Sequence, residues 1–92
     1  MQFMIVEHFK PGKTREIYTR AGTRGRMIPD GLHFVNSWVS ENLTTCYQVM
    51  ETNDINLLHD WISHWNDLVD FEIIPVISSS AARQIALDPG EQ

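Results

Sequence analysis

The stretch GLHFVNSWVSENLTTCYQVMET, from Gly31 to Thr52, reads as two β-strands joined at Glu41-Asn42-Leu43, and it places large apolar residues on both faces of each strand. A strand with one face in water alternates apolar with polar. Here Phe34, Asn36 and Trp38 alternate with Val35, Ser37 and Val39, and Val49 with Met50. Both faces of the sheet containing these strands therefore need a cover.

The rest of the chain supplies one such cover. Residues 2 to 9 form a first strand, with Phe3, Ile5, Glu7 and Phe9 on one side and Met4, Val6 and His8 on the other. Pro11-Gly12 breaks it. From Thr14 to about Gly25, Ile17, Tyr18 and Ala21 fall at helical spacing behind a hydroxyl at the expected N-cap, while Gly22 and Gly25 predict an early end. Pro29-Asp30-Gly31 is a turn by its chemistry. After the strand pair, Asn53 or Asp54 caps a second helix, whose Ile55, Leu58, Ile62 and Trp65 form an apolar stripe widened by Leu57, Trp61 and Leu68. VDFEIIPVIS gives a last strand, in which Pro75 removes a ladder donor and so requires a sheet edge.

The order β-α-β-β-α-β, joined by right-handed crossovers, makes an α+β domain with one antiparallel sheet of order 4-1-3-2 and both helices on the same face. Residues 1–78 hold this domain. Residues 79–92, SSAARQIALDPGEQ, read as a polar tail with room for one helical turn before Pro89 and no assigned function. Two helices cover one face, and a second copy of the chain packed about a twofold axis is the simplest cover for the other. The expected partner is the chain itself, in a homodimer.

Four segments, FMIVEHFKPG, RMIPDGLHFVNSWV, CYQVMET and WNDLVDFEIIPV, resemble those of a small bacterial family of unknown function in the dimeric α/β-barrel superfamily. That resemblance implies a ferredoxin-like fold and a dimer. It brings no activity, because other branches of the superfamily range from cofactor-free monooxygenases to stress-related proteins without known chemistry.

Composition narrows the function classes. A net charge of -5 repels nucleic-acid phosphates and anionic membranes alike, so neither is an expected partner. Six of the seven cations, Lys10, Lys13, Arg15, Arg20, Arg24 and Arg26, nevertheless crowd into 17 residues. Arg20, Arg24 and Arg26 are the candidate anion-binding residues, against the plainer reading of a solvated helix face. Cys46 is the sole cysteine and suits a buried small hydrophobe, which points to a reducing, cytoplasmic setting. No apolar run reaches the roughly 18 residues that a membrane-crossing helix needs.

With both sheet faces covered, Glu7 and His8 are the candidate acid or base, because a titratable group in a low-dielectric cavity is how a fold makes a proton-transfer group. The plainer reading leaves one of them at the strand end, solvated or paired with a residue such as Arg26. Asn36 and Trp38 share a strand face, with Gln48 or Tyr47 opposite Asn36 according to a three- or two-residue hairpin loop. These four are the candidate ligand-binding residues for a small, partly apolar molecule. His33 and Glu51 are expected to face each other as a cross-strand pair. His59 and His64, at i and i+5, point about 140° apart and cannot chelate one metal. No metal, haem or other cofactor is expected. Whether the chain is an enzyme stays open, with a non-catalytic structural or interaction module and a filled dimer core as the alternative.

Overall fold

A computed structural model describes residues 1–90; the last two residues of the expected tail, 91 and 92, lie outside the described residues. The elements are β1 (Gln2–Phe9), α1 (Thr14–Arg24), β2 (His33–Val39), β3 (Thr45–Glu51), α2 (Ile55–Ser63), β4 (Val69–Val76) and α3 (Ser79–Ala86). The four strands form one antiparallel sheet in the order β2-β3-β1-β4, which has the same neighbours as 4-1-3-2 counted from the other edge. Pro75 sits on edge strand β4, where its missing N–H leaves no inner ladder incomplete.

Register sorts the side chains onto two faces. On the inner face Phe3 lies between Met50 and Pro75, Ile5 between Gln48 and Ile73, and Glu7 between Cys46 and Phe71. On the outer face Met4 lies between Val49 and Ile74, Val6 between Tyr47 and Glu72, and His8 between Thr45 and Asp70. Only the inner face meets α1 and α2: Ile17, Leu58 and Trp61 bury with Phe3, Ile5 and Met50 in one core. Trp61 and Phe71 pack edge to face with ring centroids 5.7 Å apart, a geometry that the ring quadrupoles favour.

The helices begin and end for local reasons. At α1 the hydroxyl of Thr14 does not cap the helix as expected; Lys13 holds that position without a side-chain bond, and Thr14 Oγ1 donates instead to the Leu43 carbonyl at 3.1 Å. The helix runs three residues past Ala21 before Gly25, at φ +66°, stops it and donates its N–H back to the Ala21 carbonyl at 2.8 Å. Asp54 caps α2 through the Asn56 N–H at 2.9 Å. Gly31 lets the chain pass close under that helix, since a Cβ there would lie 2.8 Å from Leu57 Cδ1. The stretch from residue 79, expected to hold a single turn, forms the two-turn helix α3. Ser78 caps it by accepting the Ala81 N–H at 3.0 Å, a signal present in the sequence.

Candidate functional site

Glu7 stands near the end of the inner face of β1, beside Cys46 and Phe71. Its carboxylate accepts one hydrogen bond, from Gln48 Nε2 at 3.0 Å, and Gln48 is itself almost wholly buried. Burial without a neighbouring cation in contact disfavours the charged form and pushes the Glu7 carboxyl up to about 7, against a weaker downward pull from Arg26. A carboxyl poised there exchanges a proton readily at neutral pH. The adjacent Cys46 thiol is pushed up to about 12, first by burial and then by the Glu7 charge, so it stays protonated and unreactive.

Glu7 opens onto a cleft of about 260 Å³ between the sheet and the helices. Its floor is Glu7, Phe9, Ser37, Val39, Cys46 and Gln48; its walls are Ile17, Tyr18 and Ala21 of α1, Trp61 of α2, Trp65 of the following turn, and Gly25 and Arg26. Phe9 and Tyr18 meet edge to face with centroids 6.5 Å apart. The Arg26 carbonyl accepts both indole N–H groups, from Trp61 at 3.0 Å and Trp65 at 3.1 Å, which pins the loop after α1 to the far wall. The Arg26 guanidinium lies 4.1 Å from the centroid of the Phe34 ring, a cation–π contact that keeps it extended beside the cleft. The result is a mostly apolar, aromatic-walled cleft with a neutral-range carboxyl, an amide and a guanidinium, the composition by which pockets orient small molecules.

The expected site residues separate. Glu7, Gln48 and Arg26 share the cleft. His8 lies on the outer face, where its Nε2 pairs with Glu72 Oε1 at 2.6 Å with both side chains about half exposed. Asn36, Trp38 and Tyr47 also lie on the outer face, away from Glu7. Asn36 faces Val49 rather than Gln48 or Tyr47, and Trp38 faces Tyr47. The reason is the loop, which holds four residues: Ser40 donates its N–H to the Thr45 carbonyl at 2.8 Å, and Asn42 Oδ1 accepts from Ser40 Oγ and Thr44 Oγ1, each at 2.7 Å. A bulge between Phe34 and Asn36 then breaks the expected alternation, turning Phe34 to the same face as Ser37 and Val39. His33 faces Glu51 in the register.

The three arginines do not converge on one anion. Arg20 donates to both carboxylate oxygens of Asp67, at 2.8 and 2.7 Å, and to the His64 carbonyl at 2.9 Å, tying α1 to the turn after α2. That bidentate bond holds the Asp67 carboxyl down to about 2. Arg24 is exposed in the last turn of α1, and only Arg26 reaches the cleft. The sequence does not mark Tyr18, Trp61 and Trp65 as site residues, because their apolar stripe positions announce core and only the gap between sheet and helices makes them walls; Ser37, on the floor, carries no sequence signal at all. Among the described residues no group of three or more His, Cys, Asp or Glu could hold a metal ion, and no helix is long and apolar enough to cross a membrane.

Fold and site together define an α+β domain whose first two helices cover one sheet face and leave an acidic group in an apolar cleft beneath them. By sequence the chain belongs to the family described as a domain of unknown function (DUF3303), whose model matches residues 1–88. No curated protein matches it. No solved structure matches it either.

Proposed function

We propose that the cleft beside Glu7 binds a small, partly apolar molecule and that Glu7 takes or gives a proton there without a cofactor. The carrying observation is the Glu7 carboxyl itself, half-buried, held by a single amide and pushed to about 7 at the floor of an aromatic-walled cleft. A carboxylate that served only structure would be expected with more donors, because burying it otherwise costs stability. The cleft volume, just under the roughly 300 Å³ lower end for ligand pockets, fits a one-ring molecule better than a larger one. Arg26 at the wall favours a ligand with an acidic or enolisable oxygen, whose charge it would hold after proton transfer to Glu7. Cytoplasmic location accords with the unpaired, buried Cys46.

The test is a thermal-shift screen of single-ring aromatic and polyketide-like compounds at pH 6 and pH 8 against the wild type and Glu7→Gln. The reading expects at least one compound to stabilise the wild type with a pH dependence that Glu7→Gln abolishes. A screen in which nothing stabilises either protein counts against it.

The quaternary state belongs to the same reading. The outer face presents Trp38, 55 % exposed, with Tyr47, Val6, Met4, Val49 and Ile74 beside it in the ladder. A second copy packed on this face would make the homodimer of ferredoxin-like subunits that the sequence resembles, a dimeric α/β barrel. In the non-catalytic alternative, Glu7 and Gln48 only satisfy each other and the interface is the whole function. Ligand binding in the screen separates the two.

A further inference from the structure

The accessible surface is 6382 Å², whereas a compact monomer of this mass exposes about 5,500 Å². The excess, roughly 900 Å², is close to the ~800 Å² that each partner buries in a standard protein interface. The shape agrees: the radius of gyration is 15.7 Å and the long axis 53 Å, against about 12 Å expected for the radius of a compact chain of this length.

α3 contributes to that excess. The helix buries none of its residues, and Ile85 is 69 % exposed. At 100° per residue, Ala81, Ile85, Ala82 and Ala86 fall within one arc of about 140° on α3, opposite Arg83. Ile77 and Leu87, at the two ends of the helix, are also well exposed. A two-turn helix is too short to persist on propensity alone, so an apolar arc without a partner on its own chain needs one elsewhere. At its base, a groove of about 610 Å³ joins Ala81 and Ile77 to Gln2, Glu51 and Val76, all three on the outer sheet face. The arc and the rim of the outer face therefore adjoin, the chain bending at Ser78, with Val76 as the apolar link beside the polar Gln2 and Glu51.

We propose that α3 is an exchanged arm: in the homodimer of the reading above, each α3 leaves its own domain and packs its apolar arc against the outer-face rim of the second copy. The inference rests on that homodimer and assigns the tail its role within it. Exchange uses each exposed surface once, and a twofold axis makes both contacts identical.

Sedimentation equilibrium of the full chain tests it, comparing the wild type with Ile85→Asp/Leu87→Asp, with a chain ending at Ser78, and with Val6→Asp on the outer face. Both arm variants are expected to weaken the dimer by about tenfold or more while the far-UV spectrum of the sheet domain persists, and Val6→Asp to leave only monomer. In mixed dimers of labelled and unlabelled chains, the Ile85 methyls are expected to show contacts to the unlabelled chain. An arm-variant dimer as tight as wild type, or Ile85 contacts confined to its own chain, overturns the exchange while the outer-face dimer stands. A wild type that stays monomeric at micromolar concentration overturns both.

Discussion

Two adjacent residues of β1, Glu7 and His8, meet opposite physics because the sheet has two unlike faces. Glu7 points under the helices, where burial displaces its proton affinity to about 7 and a single amide answers its carboxylate. His8 points outward, where Glu72 pairs with it in solvent. The same comparison runs along the whole strand, from Ile5, fully buried, to Val6, only half-buried. Inner positions hold the fold together. Outer positions such as Trp38, Tyr47 and Ile74 stay exposed, and their apolar character is not needed by the isolated domain.

The largest expected effect tests the inner face. Trp61→Ala removes a core ring and one of the two donors to the Arg26 carbonyl, and should cost about 3–5 kcal/mol in chemical denaturation, measured under conditions that keep the chain monomeric. Glu7→Gln comes next, with a sign set by linkage. The folded carboxyl binds its proton more tightly than the unfolded one, so burial of Glu7 costs nothing below about pH 4.5, destabilises progressively as pH rises to about 7, and levels off above that. At pH 8 the variant should therefore be more stable than wild type by about 2 kcal/mol, a value reduced for the carboxyl's remaining contact with water, and its stability should be flatter between pH 5 and pH 8. Denaturant curves across that range check it; parallel wild-type and variant profiles would contradict the assigned burial.

On the outer face the scale drops. Tyr47→Ala should change the stability of the monomer by less than about 1 kcal/mol while loosening self-association, since Tyr47 is 42 % exposed on its own chain. A loss comparable to Trp61→Ala would break the contrast between the faces. The smallest effect belongs to His8→Ala, under about 0.5 kcal/mol, because an exposed side-chain pair contributes little against solvent and side-chain entropy.

Several of these positions were legible in the sequence because they follow from alternation and backbone chemistry. Phe3, Ile5, Glu7 and Phe9 share a face by period two, and Pro75 required the edge strand on which it lies. The α2 stripe and the Asp54 cap are equally local. Register was not legible, because it depends on one extra loop residue held by the Asn42 side chain and on the bulge after Phe34, neither of which alternation can register. That single shift moved Asn36 away from Gln48. The walls of the cleft were hidden for a different reason: Trp61 and Trp65 satisfy the pattern of buried core residues, and what distinguishes them is a shared hydrogen bond to a carbonyl 35 and 39 residues away. The tail misled by composition: residues 79–92 read as polar with a single helical turn, whereas Ser78, the residue just before them, caps a two-turn helix.

Pinning of the Arg26 carbonyl by two indoles also distributes the chain's three tryptophans in a useful way, two against the cleft and Trp38 on the opposite side of the sheet. Their ultraviolet emission is then a built-in optical probe with two separable channels. In a Trp38→Phe background, quenching or a colour change would arise beside Glu7 alone, so occupancy could be titrated without attaching a dye.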